Sequence, residues 1–223
     1  MEYKKNQVDL SSIRVEPNIE NCKVRSLLQL SLKKIPASKN VTVVMMNPSK
    51  ANQKYSDPTI NRIIDFFYNE QTLDVKNIKI VNLFSFYNPK SITLHENINL
   101  SEIELNRLMK DNQHVIGTAV KDSDYIFWGW GNSPEGFHET TFYSQVLYVL
   151  TEVKCYKEKK TFVFKIDNKR ANSQENLTKS KNPVHPINGP ILDKVEVEID
   201  SLYRILPINN NETSDEIYEL QIT

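Results

Sequence analysis

Short apolar runs that alternate with helical patterns constrain the fold of this chain more than any other feature. Residues 41–46 have the sequence VTVVMM, and a run of β-branched and apolar residues is typical of a strand buried on both faces of a parallel sheet. The run ends at Asn47-Pro48. After a polar loop, Asp57-Pro58 supplies an N-cap acid followed by a proline at the first helical position. The sequence therefore predicts a helix that begins near Pro58.

The same alternation continues to residue 166. Further strands are predicted at residues 78–84, 124–130 and 161–166, and further helices at residues 101–116 and 142–150. Strands and helices that alternate in this way form an open, mostly parallel sheet with helices on both of its faces. We therefore predict an α/β fold, with three α/β/α layers around a central, mostly parallel four-stranded sheet.

The length of 223 residues suits a single α/β domain. Residues 1–40 precede the first predicted core strand and are expected to form an N-terminal decoration, either an added edge strand or a helix. Residues 192–223 are expected to form an acidic C-terminal extension. Within it, the alternation of Val195, Val197 and Ile199 with acids predicts an edge strand.

Several enzyme classes are excluded by motifs that the chain lacks. With five glycines, it has no phosphate-binding Gly-x4-Gly-Lys loop, no Gly-x-Ser-x-Gly nucleophile elbow and no third glycine after Gly129-Trp130-Gly131. Its two cysteines and four histidines show no metal-ligand spacing, so we predict neither a metal site nor a cofactor. The sequence also lacks a long apolar run and a signal peptide, so we expect a cytoplasmic protein with no membrane partner.

Charge is balanced overall but not along the chain. The 28 lysines and arginines equal the 28 acids, whereas residues 192–223 contain eight acids and two bases, so the remaining residues carry a net charge of +6. Residues 157–185 contain eight bases and three acids. Such a segment can contact phosphates, but a solvated lysine-rich surface gives the same pattern, so charge alone leaves both interpretations open.

Polar residues follow the predicted strands where α/β proteins bind ligands, outside the carboxyl ends of the strands. Asn47-Pro48-Ser49 follows the first strand, Asn82 lies in the second, Trp128-Gly129 ends the third, and His185-Pro186 comes late in the chain. In this order the motifs resemble those of the uracil-DNA glycosylase superfamily. The resemblance implies a uracil-DNA-glycosylase-like fold.

The resemblance also implies a role for each motif. In that superfamily the polar residue of the first loop positions the attacking water, a role that Asn47 would take here. Asn82 would read the edge of a flipped base, and Trp128-Gly129 is similar to the superfamily's Leu-Trp-Gly strand. The late histidine stabilises negative charge on the departing base, which assigns that role to His185. The serine that completes the superfamily's His-Pro-Ser motif is absent, and Ile187 stands in its place.

A second set of motifs extends over roughly residues 20–192. It consists of Arg25-Ser26-Leu27, residues 46–51 (MNPSKA), Asp57-Pro58-Thr59-Ile60, residues 81–84 (VNLF), and the segment from Leu177-Thr178-Lys179 to His185-Pro186. These motifs resemble, more closely in sequence than the first set, an uncharacterised family of bacterial and phage proteins that carries no agreed activity.

Hydrolysis of an N-glycosidic bond requires a placed water, a polar or negative group near the sugar and a hydrogen-bond donor to the departing base. The predicted catalytic residues that would supply these parts are Asn47, Asp57 and His185. An asparagine cannot accept a proton as a carboxylate does, so activation of the water depends on whether Asp57 reaches the site. A role as helix cap alone stays open for Asp57, and a structural role beside the prolines stays open for His185.

A base in duplex DNA must be flipped out of the helix and held by an aromatic platform and edge hydrogen bonds. The residues predicted to contact the base, in addition to Asn82, are Pro48, Tyr55, Phe86 and Trp128. Ile187 or Ile191 is the predicted wedge in the vacated stack. The remaining predicted DNA contacts are polar or basic residues that would hold phosphates, namely Ser49, Lys50, Lys169, Arg170, Lys179 and Lys181.

We therefore predict a monofunctional DNA glycosylase that binds DNA and leaves an abasic site. The loop at residues 132–138 is a predicted lid. Together with the altered first loop and the missing serine, it favours a modified base, such as modified cytosine in phage DNA, over uracil, and such an enzyme would serve antiviral defence. Two alternatives stay open: a non-catalytic module that binds modified DNA, and a hydrolase of free nucleotides or nucleosides that uses the same pocket.

Overall fold

The computed structural model describes residues 1–17, 24–87, 102–134, 137–168 and 173–208. The strands are β1 (Val8–Glu16), β2 (Leu27–Leu32), β3 (Lys39–Met45), β4 (Val75–Asn82), β5 (Tyr125–Gly129), β6 (Lys160–Asn168), β7 (Ser173–Glu175), β8 (Ile191–Ile199) and β9 (Ile205–Pro207). The helices are α1 (Pro58–Asn69), α2 (Glu102–Lys121) and α3 (Glu139–Lys154), with a short 3-10 helix at Pro186–Asn188. All four core strands and all three helices that the sequence predicts are present.

Within the described residues, nine strands form one sheet in the order β1-β2-β4-β3-β5-β6-β8-β9, with β7 paired to β6. The four central strands, β4, β3, β5 and β6, are parallel to one another, as predicted. The outer strands pair antiparallel, so the prediction of a four-stranded sheet is wrong in its strand number.

The added strands come from both ends of the chain. In β2, buried leucines at positions 28, 30 and 32 alternate with partly exposed Gln29 and Ser31, which is the two-residue period of a strand with one more polar face. The N-terminal region is therefore strand where the sequence left strand and helix open. The edge strand predicted around Val195 is β8, and β9 lies beyond it.

The helices cover both faces of the sheet and make three layers. Phe67 of α1 packs on one face in a core cluster with Val43. Ile116 of α2 and Val149 of α3 share a second core cluster with Val44 on the opposite face. Val43 and Val44 belong to different clusters because successive side chains of a strand alternate between its faces. No helix in the described parts of the chain is long and apolar enough to cross a membrane.

The strand order creates a branch point beside β3. The chain leaves β3 through α1 to reach β4 on one side, and later crosses back through α2 to reach β5 on the other side. The loops that follow β3 and β5 therefore diverge at the carboxyl ends of two neighbouring strands. In open α/β sheets a crevice forms at such a point, and ligands bind there.

Candidate functional site

A cavity of about 300 Å³ opens at the branch point. It lies between the loop after β3, the loop after β5 and the segment at residues 178–188. Apolar side chains and uncharged polar ones make up its lining, and no carboxylate, lysine or arginine of the described residues contributes. The lining residues are Met45, Met46, Asn47, Ser49, Thr59, Trp130, Gly131, Asn132, Thr178, His185, Ile187 and Asn188.

Two larger clefts lie away from this edge of the sheet. A cleft of about 480 Å³ lies between α1 and β8, and one of about 580 Å³ lies between the end of α3 and β8. Neither contains a residue that the sequence predicts to be catalytic. We take the smaller cavity as the candidate site because Asn47 and His185 both line it.

Asn47 and Pro48 form the turn that leaves β3. Asn47 is 9% exposed, lines the cavity and donates from its amide to the carbonyl of Pro48 at 3.3 Å. Pro48 is buried and does not belong to the lining. The predicted catalytic asparagine therefore lines the cavity. Pro48 does not, so its position does not support the predicted contact with a base.

Asp57 fixes the loop that follows β3. Its carboxylate accepts hydrogen bonds from Ile60 N at 2.9 Å, from Ala51 N at 3.2 Å and from the Ser49 hydroxyl. Asp57 is therefore the N-cap of α1, as the sequence predicts, and also the anchor of the loop. Both carboxylate oxygens are engaged and Asp57 does not line the cavity, so its position argues against the predicted role in water activation.

Arg25 supports the same loop from behind. Its side chain is buried, donates from Nη1 to Ala51 O at 2.7 Å, and lies 5.8 Å from the centre of the Tyr87 ring. Burial lowers the pKa of Arg25, and interactions with Tyr87 and Asp57 oppose this shift. Sequence reasoning assigned no role to this residue, although Arg25-Ser26-Leu27 is one of the motifs of the second resemblance.

His185 lines the cavity and has a defined tautomer. Its Nδ1 accepts a hydrogen bond from Ile187 N at 3.0 Å, so the proton of the neutral ring lies on Nε2. Burial lowers the pKa of His185 to about 4; the negative charge of Asp57 opposes this shift and the positive charge of Arg62 adds to it. Near neutral pH the cavity therefore contains an uncharged imidazole that can donate from Nε2.

Two glycines at the end of β5 make room for the histidine segment. A Cβ atom at Gly129 would lie 3.0 Å from Pro186 Cδ, and one at Gly131 would lie 3.4 Å from His185 Cβ. Gly131 has a φ of 77°, in the left-handed region that favours glycine, and its N–H donates to Pro183 O at 2.9 Å. The Trp-Gly motif thus contributes through its glycine, which lets His185-Pro186 pack on the strand end.

Asn132 and Thr178 form a polar wall of the cavity that sequence reasoning missed as a substrate contact. Asn132 Oδ1 accepts hydrogen bonds from Thr178 Oγ1 at 2.6 Å and from Asn182 Nδ2 at 3.2 Å. Trp130 Nε1 donates to Asn182 Oδ1 at 3.4 Å. This network ties the first part of the predicted lid to the segment that carries His185. Residues 135–136 of that loop lie outside the described residues.

Thr59 and Asn188 also line the cavity and were not predicted. Thr59 lies in the first turn of α1 and is buried. Thr59 belongs to the Asp57-Pro58-Thr59-Ile60 motif, which indicated a helix start and the second resemblance but no ligand contact. Asn188 follows the His-Pro motif directly, and its N–H donates to His185 O at 3.0 Å.

Asn82 lies at the end of β4, beside the cavity but outside its lining. It pairs in register with Met45 of β3, which does line the cavity. Asn82 is completely buried, and neither polar atom of its side chain has a hydrogen-bond partner within the described residues. A buried polar group without a partner costs about 1–3 kcal/mol, so its presence calls for an explanation such as a ligand.

The aromatic residues predicted to contact a base lie elsewhere. Trp128 is buried under α2 and α3, with its ring centre 5.3 Å from that of Trp130, and Phe86 belongs to the same core cluster. Tyr55 is 57% exposed in the loop before α1. None of these three predicted residues lines the cavity. The aromatic wall of the cavity is Trp130, which lies one residue beyond the end of β5.

Several residues predicted to bind DNA border the cavity. Ser49 and Ile187 line it, and Ile187 is 57% exposed. Lys50, Lys179 and Lys181 are exposed, and each lies in a segment that also supplies lining residues. These three lysines therefore place positive charge around the cavity mouth.

The basic segment at residues 157–185 is divided between two ends of the sheet. Lys157, Lys159 and Lys160 lie at or before the start of β6, whereas the cavity lies at the carboxyl ends of the parallel strands. The Lys159 ammonium also donates to Lys121 O at 2.8 Å. Only the later part of the segment is thus near the site. Lys169 and Arg170 lie outside the described residues.

Comparison with known proteins identifies a family of unknown function. A family model described as "Protein of unknown function (DUF1643)" matches residues 28–187. No curated protein and no solved structure matches the chain significantly. The matched residues extend from β2 to the turn after His185, and they include all of the cavity lining except Asn188.

Proposed function

We propose that the chain, which belongs to the DUF1643 family, is a monofunctional DNA glycosylase that hydrolyses the N-glycosidic bond of a flipped base and leaves an abasic site. The observation that carries the proposal is the neutral His185, a hydrogen-bond donor in the same cavity as Asn47. The resemblance to the uracil-DNA glycosylase superfamily supports it, because the matching motifs occur in the same order at the strand ends.

His185 is proposed to stabilise the departing base. Negative charge develops on the base as the glycosidic bond breaks, and a donor already aimed at that charge in a site shielded from water is effective. Ile187 N–H occupies Nδ1 of the imidazole and leaves Nε2–H as the donor. Because burial lowers the pKa of His185 to about 4, the ring keeps this form throughout the neutral pH range.

Asn47 is proposed to place the attacking water. Its amide can hydrogen-bond to water but cannot take the proton from it, and no carboxylate of the described residues lines the cavity. We therefore infer that most of the rate enhancement comes from stabilising the departing base, with the water placed but weakly activated. Asp57 contributes by holding the loop through Ser49 and Ala51.

Asn82 is proposed to read the edge of the base. Its amide offers an acceptor and two donor hydrogens, and none of them is used by the described residues. A base that displaced the flexible Met45 side chain in the neighbouring strand could reach this amide. Recognition by a buried amide favours bases that present both a donor and an acceptor.

We propose a modified base, such as modified cytosine in phage DNA, as the substrate, which would make the protein an antiviral defence enzyme. The polar wall formed by Asn132 and Thr178 supports this choice, because it adds hydrogen-bonding groups beyond the Asn47 and His185 pair. The exposed Lys50, Lys179 and Lys181 suit the DNA phosphates on either side of the flipped base, and Ile187 at the mouth suits a wedge.

A non-catalytic module that binds modified DNA is the second candidate. The cavity lining contributed by the described residues contains no group that can deprotonate water at neutral pH, because Nδ1 of His185 already accepts from Ile187 N and Nε2 carries the proton. A protein that holds a flipped base without cleaving the glycosidic bond would need the same pocket and the same lysines. The two candidates differ only in whether a product forms.

The test is incubation of the purified chain with unmodified, uracil-containing and phage-type modified DNA, followed by alkali, which breaks the strand at abasic sites. We expect breaks on one modified substrate. Removal of one preorganised hydrogen-bond donor to the developing charge commonly costs about 10²- to 10³-fold in rate, so His185→Ala should lower the single-turnover rate by at least about 100-fold. Asn47→Ala should lower it by a smaller factor, because it removes only the group that places the water.

Matched controls are His114→Ala and Asn106→Ala, which change exposed residues of α2 and should retain full activity. Salt-dependent binding without strand breaks would favour the sensor. Neither breaks nor binding would direct the search to free nucleotides and nucleosides.

A further inference from the structure

Arg62 of α1 contacts the turn that carries His185. It donates from Nη1 to Pro186 O at 2.9 Å and to Ile187 O at 2.8 Å. Arg62 does not line the candidate cavity, so it has no place in the chemistry proposed above. Its two acceptors are nevertheless the two carbonyls that directly follow the histidine.

One peptide group connects Arg62 to the imidazole. The carbonyl of Pro186 and the N–H of Ile187 belong to the same peptide unit. The carbonyl accepts from Arg62, while the N–H donates to His185 Nδ1 at 3.0 Å. A peptide whose oxygen accepts a charged donor becomes a stronger donor at its nitrogen, because linked hydrogen bonds polarise one another.

The charges near the ring act in opposite directions. Of the described residues, Asp57 favours the protonated imidazole and Arg62 opposes it. The end of β5 contributes Gly131 to this contact and no charge. Arg62 thus acts on His185 both through the shared peptide and through its own charge, and both effects keep Nδ1 without a proton.

We infer that Arg62 is the positioning residue that holds His185 as the Nε2–H tautomer, by clamping the peptide between Pro186 and Ile187. The catalytic consequence rests on the proposed function, whereas the state of the ring does not. Without the clamp, the peptide is free to turn its N–H away from Nδ1. The ring then loses its preference for one tautomer and gains proton affinity.

The state of the ring is measured by NMR of the ¹⁵N-labelled free protein, which requires no DNA. In the wild type we expect an unprotonated Nδ1 and a protonated Nε2 between pH 6 and 8. In Arg62→Gln we expect mixed tautomers and a His185 titration moved to higher pH. Arg62→Lys keeps a charged donor at the same helix position and should restore most of the wild-type behaviour. Arg107→Gln removes an exposed arginine from α2 and should change neither quantity.

Activity gives the second measurement. We expect kcat of Arg62→Gln to fall by up to about 100-fold, the lower range for a positioned proton donor, with KM little changed. The acid limb of its pH profile should move to higher pH. A wild type with no glycosylase activity would refute the proposed function and leave the NMR result standing.

Two results would overturn the inference. One is a proton on Nδ1 in the wild type, which decides the matter even where Arg62→Gln does not fold. The other is a folded Arg62→Gln in which the tautomer and titration of His185 are unchanged.

Discussion

Ser49 donates a hydrogen bond to Asp57, and this contact joins the candidate site to the start of α1. The other carboxylate oxygen of Asp57 accepts from Ile60 N at 2.9 Å. One buried carboxylate therefore sets both where the helix begins and where the loop after β3 runs. Asn47 lies at the start of that loop, so its position in the cavity depends on the helix cap.

Replacing Asp57 with alanine should destabilise the protein by about 2–4 kcal/mol. Loss of an N-cap costs about 1 kcal/mol, and the donors of Ser49 and Ala51 would lose their buried acceptor. Asp57→Asn should cost less, because asparagine caps helices about as well as aspartate does. Urea denaturation measures the free energy of unfolding. Asp111→Ala removes an exposed carboxylate from α2 and should change it by less than about 0.5 kcal/mol; an equally small change in Asp57→Ala would contradict the prediction.

The core strands and the first helix could be predicted because local chemistry determines them. The apolar run of β3 and the Asp57-Pro58 cap can be interpreted without any distant partner, and both are present. The order of the motifs at the strand ends also predicted that Asn47 and His185 would meet, and they line one cavity. Topology made this possible, since the carboxyl ends of parallel strands share an edge.

Features that depend on distant contacts could not be predicted. The hydrogen bonds from Arg62 reach Pro186 and Ile187, which lie 124 and 125 positions further along the chain, and no local pattern predicts these contacts. The motif at the end of β5 suggested a base contact for Trp128, but the helices that bury this residue are placed by the whole sheet. The strand number was wrong for the same reason, because pairing at the edges depends on the neighbouring strands.

The free energy of unfolding should fall as pH drops from about 6.5 to 4, partly because of His185. The folded-state pKa of His185 is about 4 and the unfolded value is about 6.5, so in this window the unfolded chain binds a proton that the folded chain does not. The loss at pH 4 is about 3 kcal/mol. His185→Gln should lose this part of the pH dependence in urea denaturation, whereas His114→Gln, at an exposed position, should keep it. An unchanged pH dependence in His185→Gln would count against the burial of the ring.

Glu70 and Lys194 connect the end of α1 to β8 through an ion pair of 2.7 Å. Burial alone would raise the pKa of Glu70, but hydrogen bonds from Lys194, Thr72 and Leu73 N outweigh it and lower the pKa to about 2. The pair therefore stabilises the fold fully above about pH 4.5 and is lost as pH falls toward 2.

Glu70→Gln should cost about 2 kcal/mol at pH 7 and flatten the decline in stability below pH 4.5. The matched control is Glu196→Gln on β8, whose pair with Lys160 is more exposed and is worth less than about 1 kcal/mol. Acid denaturation followed by circular dichroism measures both. Equal effects of the two substitutions would mean that the Glu70 pair behaves as a surface pair.

Gly189 holds the segment after His185 against β6. A Cβ atom at Gly189 would lie 1.8 Å from Asp167 O, a backbone atom of the central sheet. Gly189→Ala should therefore push the segment off the strand, lower the free energy of unfolding by about 2–3 kcal/mol, and displace His185 from the cavity. Gly117→Ala is the matched control, because its Cβ would meet side-chain ends and no backbone atom, the flexible Glu152 carboxylate at 3.2 Å and the Tyr148 hydroxyl at 3.5 Å, and alanine favours a helix by up to about 1 kcal/mol. Thermal denaturation compares them, and equal stability of the two variants would refute the close packing at Gly189.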